Sequence, residues 1–378
     1  MKKAQDISIL SLSLITGVAT LLSASIPSLV EYYSNYHLGS IESLVTVPSL
    51  GSIFTIIFNS FFVKKMGMKK TVLLGIFLVT ISGVLPFFMS NFVVVFLLRF
   101  VLGLGIGLFS PHAISLISIF YEGQKKATLL GMQVGISALG NSIFLLLAAI
   151  VIHYHWQSIY LLHLILIPIF FLIFKFVPEV PTQVTHEKTG NRFAISKQAV
   201  IYLSLCLWTF IIIFGVQLKV PTLLSGLENG NTSLGGLTLS LMNLMGLFAG
   251  VLFGFLLKRF HYRLFAFGYI GAGIMVLVLA LSSNVILSMI SAILFNFIYS
   301  FTGPYIILQL NTFTPNHEIA KINSLFSLMI IGSQFIAPIF WNTFSTIINA
   351  STIQLLLYIA IMLIGTGLLV GYNLKEKR

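Results

Sequence analysis

The sequence predicts an all-α membrane protein, with twelve transmembrane helices in two pseudo-symmetric six-helix bundles. Three observations carry this. The composition is too apolar for water, charge-free stretches of bilayer length recur along the chain, and one basic signal repeats at nearly a fixed offset.

Of 378 residues, 57% are hydrophobic and 8% charged, against roughly 25% charged in a soluble domain. A bilayer core about 30 Å thick needs about 20 apolar residues per spanning helix. Charge-free stretches run from Ile7 to Val30, Ser43 to Val63, Thr71 to Ser90, Ala127 to Ile152, Trp156 to Phe174 and Gln198 to Leu218. Five more run from Leu234 to Leu257, Leu264 to Ser282, Val285 to Leu310, Ile322 to Thr343 and Thr352 to Tyr372. The remaining span, fourth in order, is Phe92 to His112 and carries one charge, Arg99. Barrel strands are about 10 residues long with alternating polarity, and these runs are twice that and apolar on every face. Only helices then satisfy the backbone in lipid. The first run is too long for the apolar core of a secretory signal and lacks its small-residue end.

The net charge of +12 raises nucleic acid as a partner, and the positions of the charges argue against it. With the N-terminus in the cytoplasm, 19 of the 21 basic residues fall on the cytoplasmic side. Arg99 lies within a span, and only Lys219 falls on the outer side. This is the positive-inside bias, and it puts both termini in the cytoplasm of a multi-pass plasma-membrane protein. The single cysteine, Cys206, sits within a span and rules out an intrachain disulfide.

The longest polar connection, Pro178 to Lys197, follows span six and holds two prolines. It divides the chain into residues 1–177, a cytoplasmic linker 178–197, and residues 198–378. Lys64 and Lys258 stand 194 residues apart (258 − 64), and Pro111 and Pro304 stand 193 apart (304 − 111). Two signals at nearly one offset point to an internal duplication, a common transporter design.

The segment RFVLGLGIGLFSP, Arg99 to Pro111, is the strongest local signal. Gly103, Gly105 and Gly107 permit close helix approach. A dinucleotide loop would need a strand before these glycines, and here they lie inside a helix. The segment resembles the fourth-helix motif of the major facilitator superfamily, an Arg followed by spaced glycines and a proline. That family's loop motif, G-x-x-x-D-R-x-G-R-K, also has an echo after span two. Ser60 stands in the first Gly position, Lys65 in the Arg position, Gly67 in the second Gly position, and Lys69 and Lys70 at the basic end. Lys64 stands where the family has Asp. In the second half Gly254, Arg259 and Arg263 match, and Lys258 again replaces the acid. The missing acid removes the usual loop salt bridge.

Arg99 is seven residues into its span, about 10 Å below the outer surface at about 1.5 Å per residue. A lone Arg in hydrocarbon costs at least about 2.5 kcal/mol, so it needs a partner. Glu31, after Pro27 near the outer end of span one, is the candidate. The pair is similar to that of the superfamily's drug/proton antiporters, which join a first-helix acid to the fourth-helix Arg, and it would couple transport to protons. The alternative is a structural Arg tied to backbone carbonyls. Glu42, Glu122, Glu228 and Glu318 are read as loop or span-end acids. The segment GMQVGISALGN, Gly131 to Asn141, looks like a weak version of the antiporter glycine motif, or simple packing. Gly246, Gly250 and Gly254 form a small-residue ridge read as packing. His112, His153, His155 and His163 are read as mostly interfacial, with His112 as the second candidate proton carrier.

The resemblance implies that helices one, four, seven and ten line a solute cavity. They offer Ser23, Ser25, Trp208, Gln217, Asn296, Tyr299, Tyr305 and Gln309, with Asn141 and Asn243 from helices five and eight. Aromatic area with a few amides suits a small amphipathic organic solute. The resemblance thus implies a monomeric secondary transporter whose partners are the lipid bilayer, protons and a small-molecule substrate, most simply a proton-coupled exporter. Uptake of a small organic anion against Arg99 is the runner-up. There is no Walker motif, no metal spacing and no nucleophile elbow. His186-Glu187 begins like a zinc-protease motif, but Gly190 stands where the second His would be. No cofactor and no enzyme activity are expected.

Overall fold

The computed structural model describes residues 2–179, 196–314 and 319–376. Among these there is no strand, and twelve helices are long and apolar enough to cross a membrane. Spans one to six are Ala4–Tyr32, Leu38–Met66, Met68–Phe88, Phe92–Ile117, Gly135–Ile152 and Trp156–Phe176. Spans seven to twelve are Lys197–Ser225, Thr232–Phe260, Arg263–Leu281, Val285–Thr312, Leu325–Ile347 and Thr352–Tyr372. The chain divides into two compact units, Met1–Gly190 and Asn191–Arg378. Most of the linker, with His186, Glu187, Lys188 and Arg192, lies outside the described residues, as do Lys377 and Arg378.

The two units repeat one packing pattern. In the first, span four packs on spans two and three, span one on span five, and span three on span six. In the second, span ten packs on spans eight and nine, span seven on span eleven, and span nine on span twelve. Each pair recurs six spans later. The local devices recur too. Asn91 caps span four by accepting from the backbone of Val93 and Val94, and Asn284 caps span ten by accepting from Leu287. Such caps satisfy backbone donors that have no helical partner. Both spans are then interrupted by a short break. Span four is the helices Phe92–Phe109 and His112–Phe120, and span ten is Val285–Tyr299 and Thr302–Thr312.

Glycine sets the spacing around span four. A Cβ on Gly103 would overlap the backbone of Pro48, one on Gly107 the Ser52 backbone and the Thr55 side chain, and one on Gly105 the Gly75 carbonyl. Backbone contacts of this closeness explain how short polar side chains of span two reach span four. Ser52 donates to Gly103 O at 3.1 Å, Thr55 to Leu104 O at 2.9 Å, and Asn59 Nδ2 to Gly107 O at 2.9 Å. Outward-facing Phe54, Phe58, Phe61, Phe171, Phe174 and Phe255 are all exposed, as a lipid-facing surface requires.

Four sequence expectations are corrected. Glu42, read as a loop or span-end acid, lies in the second turn of the helix Leu38–Met66 and is fully buried there. Lys219 is not in outer water; it is buried within Lys197–Ser225 and donates to Asn342 Oδ1 at 2.9 Å. Both errors have one cause. The spans were ended at the nearest charge, whereas each helix runs on past it. His112 and His163 are buried rather than interfacial. The ridge of span eight does not pack along its length, since a Cβ on Gly250 or Gly254 would meet no atom within 4 Å.

Candidate functional site

Arg99 is fully buried in span four. Its Nε donates to Leu44 O at 2.9 Å, and its Nη2 to Ala19 O at 3.3 Å and Val45 O at 3.5 Å. These acceptors are available for a local reason. Pro48 lies inside the span-two helix and has no N–H, so the carbonyl four residues back, that of Leu44, loses its helical donor. Ala19 lies in the tight 3-10 stretch Ile15–Ser25 of span one. Arg99 therefore ties spans one, two and four together through backbone groups.

Glu31 is not its partner. Glu31 is exposed near the end of the helix Ile26–Tyr32, and no ion pair joins it to Arg99 among the described residues. The guanidinium has spent its Nε and Nη2 donors on carbonyls. Nη1 has no hydrogen-bond partner. Tyr160 and His163 of span six lie within electrostatic reach of Arg99, and Tyr160 Oη and His163 Nε2 are likewise buried without a partner. His163 Nδ1 is 2.9 Å from Tyr160 O. His112 is buried just after the break in span four, with neither ring nitrogen hydrogen-bonded. The ionisable group that sequence reading passed over here is Glu42, two and three residues before the carbonyls that Arg99 grips. Pro48 was the available signal for those carbonyls.

In the second unit, Gln217 Nε2 donates to Asn296 Oδ1 at 3.3 Å, and Asn296 Nδ2 donates to Met242 O at 2.6 Å. Trp208 Nε1 donates to Thr366 Oγ1 at 3.3 Å, and its ring lies edge-on to Phe340. Trp341 beneath it is fully buried and donates to Ile211 O at 2.8 Å. Trp208, Gln217, Asn243 and Gln309 are half-buried, so part of each remains reachable. Asn243 Nδ2 donates to Leu239 O at 2.9 Å.

Tyr299 and Tyr305 are placed differently from the expectation. Tyr299 is buried and donates to Thr209 O at 2.6 Å, and Tyr305 is buried and stacks on Phe265 with centroids 4.3 Å apart. Both belong to the bundle interior. In the first unit Ser25 is buried and donates to Leu22 O, and Ser23 is half-buried. Asn141 is half-buried where the backbone of span five meets Gly17.

Toward the cytoplasmic side of the predicted topology, Gly67 makes the turn between spans two and three with φ of 85°, a conformation that favours glycine. Lys64, Lys65 and Lys70 are exposed around it. Lys258, Arg259 and Arg263 are exposed around the corresponding turn of the second unit. Nearby in the first unit, Tyr121 donates to Asp6 Oδ1, and Lys125 Nζ lies 2.9 Å from Asp6 Oδ2. Burial first, then the bond to Asp6 and its charge, hold the Tyr121 phenol well above its ordinary pKa of 10.0.

An all-helical fold of twelve apolar spans with a duplicated break, an Arg-glycine fourth span and paired basic turns defines a class of membrane protein. Residues 8–338 match the Major Facilitator Superfamily, and the chain belongs to that family. It is 23% identical over 265 residues to an uncharacterized transporter of Rickettsia bellii, covering 64% of this chain and 62% of the relative. It is 25% identical over 260 residues to a TsgA homolog of Buchnera aphidicola subsp. Schizaphis graminum, covering 67% of this chain and 66% of the relative. The match thus spans just under two thirds of each relative's own length. Among solved structures, the xylose transporter XylE from E. coli superposes with a TM-score of 0.76 over 97% of this chain and 94% of that one, at 14% identity. A bacterial homolog of the human lysosomal transporter Spinster gives 0.74 over 90% and 81%, also at 14% identity. At such identities the likeness concerns the fold.

Proposed function

We propose that this protein is a secondary transporter that exports a small, uncharged amphipathic organic solute in exchange for protons. Family membership supports the transporter class. The observation that carries the solute class is the half-buried aromatic and amide surface of Trp208 and Gln217, with Gln217 held by Asn296. Flat apolar area with a few fixed polar groups is the usual make-up of a small-molecule site. The runner-up, an organic anion held by Arg99, is disfavoured because that guanidinium is already engaged by three carbonyls.

The proton is assigned to Glu42. An ionisable side chain within a span is expensive and marks a functional position by default, and Glu42 is fully buried whereas Glu31 is exposed. In this reading residues 1–177 and 198–378 are the two halves joined by 178–197. The protein acts as a monomer in the plasma membrane with both termini in the cytoplasm.

The test uses proteoliposomes loaded with radiolabelled chloramphenicol, a small uncharged aromatic antimicrobial, with and without an imposed pH gradient. Wild-type flux should follow the gradient. Glu42→Gln should keep downhill exchange and lose the response to pH, and Glu31→Gln should behave as wild type. Gradient-driven flux in Glu42→Gln at the wild-type rate removes the assignment of Glu42. A panel of uncharged aromatic solutes with no flux at all removes the solute class.

A further inference from the structure

The turn between spans two and three borders a half-open hollow of about 270 Å³ lined by Lys64, Lys65, Gly67, Lys69, Lys70 and Glu179, with Met66 and Met68. Four lysines and one glutamate thus line it, and none of the four lysines forms an ion pair among the described residues. Like charges lining one hollow repel, and an isolated protein surface would gain from spreading them. Two of them are also on the wrong end of a helix. Lys69 and Lys70 lie in the first turn of Met68–Val84, where the dipole disfavours cations and backbone N–H groups favour an anion. The positive-inside rule asks for basic residues on this side; it does not ask that four of them line one hollow.

The wall beside the hollow is apolar. Lys69 Nζ stands 5.6 Å from the centroid of Phe174, and Phe174 and Phe61 are each about 60% exposed. The basic hollow therefore sits where a lipid-facing surface meets water. We propose that this cavity binds the headgroup phosphate of an anionic phospholipid, with the acyl chains lying against Phe61 and Phe174. Clusters of four or more basic residues at the cytoplasmic end of a span suit such headgroups. A free phosphate ester would satisfy the lysines alone and gain nothing from the aromatic wall.

The second unit supplies the control. Lys258, Arg259 and Arg263 flank the equivalent turn, but the first turn of the helix that follows carries one basic residue, Arg263, where the first unit has the pair Lys69 and Lys70. Native mass spectrometry of the purified full chain with equimolar phosphatidylglycerol and phosphatidylcholine reads the preference directly. The wild type should retain phosphatidylglycerol at least about tenfold over phosphatidylcholine, equivalent to about 1.4 kcal/mol. The variant with Lys64→Gln, Lys65→Gln, Lys69→Gln and Lys70→Gln should lose that preference, and the variant with Lys258→Gln, Arg259→Gln and Arg263→Gln should keep it. Glycerol 3-phosphate at millimolar concentration should not displace the lipid. Thermal unfolding in phosphatidylcholine alone reports whether the quadruple variant folds, and if it does not, Lys69→Gln with Lys70→Gln should still cut the preference by more than half. Unchanged preference in the lysine variants, equal loss in the second-unit control, or full displacement by glycerol 3-phosphate would each overturn the proposal.

Discussion

Arg99 Nε donates at 2.9 Å to the carbonyl of Leu44, and that carbonyl is the one Pro48 leaves without a helical donor. A buried cation and a proline on a neighbouring span thus complete one another. The proline exposes an acceptor that lipid cannot satisfy, and the arginine brings a donor that lipid cannot solvate.

This relationship predicts a coupled stability effect. Arg99→Met keeps the apolar stem and removes every donor, leaving the Leu44 carbonyl unsatisfied. Loss of hydrogen bonds to a charged group should cost about 2–4 kcal/mol. Pro48→Ala restores a backbone N–H to the same carbonyl, so the double variant should lose less than the sum of the two singles, by about 1 kcal/mol. Arg99→Lys should fall between, because one ammonium cannot reproduce the planar fork. Thermal unfolding in detergent compares these four variants with the wild type. Strict additivity in the cycle would dissolve the link between Arg99 and Pro48.

The glycines of spans four and eight should respond in opposite directions. Gly103→Ala places a Cβ into the Pro48 backbone, which cannot yield as a flexible side chain would. Overpacking of this kind costs about 1–3 kcal/mol. Gly254→Ala meets no atom within 4 Å and should be neutral or gain up to about 1 kcal/mol from helix propensity. Thermal midpoints that move together for both would contradict the packing described here.

Much of this architecture is legible in the chain, because lipid leaves one solution for long apolar stretches. Span number, order and duplication can be read from charge-free windows and repeated signals. The site is less legible, and Arg99 shows why. Its need for a partner follows from burial of a charge, but its acceptors are backbone carbonyls, which every residue carries. Glu31 drew attention because it is a carboxylate, while Pro48, the residue that makes an acceptor available, has no polar side chain. Glu42 and Lys219 were missed because a charge was used to end a span, although a helix tolerates one inside when neighbouring groups receive it. For Tyr299 and Tyr305, position along a span says nothing of which face the ring takes.

The Asp6–Tyr121–Lys125 cluster should show its two bonds unequally. Lys125 is half exposed and its pair with Asp6 is at the surface, so Lys125→Gln should cost less than about 1 kcal/mol. Asp6→Ala removes the acceptor of a buried phenol and should cost about 1–3 kcal/mol. The phenol pKa is raised in the folded state, so the native protein holds that proton more tightly than the unfolded chain. The stability this contributes is fully present below pH 10 and is lost as pH rises toward the folded value. The gap between wild type and Tyr121→Phe should therefore be constant from pH 7 to about 9 and shrink above about 10. A gap that stays constant through pH 11 would place the Tyr121 phenol at its ordinary value.

The amides of the second unit separate solute binding from structure. Asn296 is buried and its Nδ2 donates to Met242 O at 2.6 Å, so it fixes span ten against span eight. Asn296→Ala removes that inter-span bond and the acceptor of Gln217 Nε2, and should lower stability by about 1–3 kcal/mol. Gln217 is half-buried and held by its 3.3 Å bond to Asn296, so the exposed part of its amide is presented to a solute in a fixed pose. Gln217→Ala should raise the KM for chloramphenicol flux about tenfold, the worth of about 1.4 kcal/mol of binding, while the thermal midpoint barely moves. Trp208→Phe keeps aromatic area and loses the bond to Thr366, so it should affect KM less than Trp208→Ala. The measurement is initial flux against solute concentration in proteoliposomes, beside thermal unfolding of the same preparations. If Gln217→Ala destabilises the protein as much as Asn296→Ala and leaves KM unchanged, then Gln217 is a strut of the bundle. The solute contacts would then have to come from other half-buried amides of this unit, such as Asn243 or Gln309.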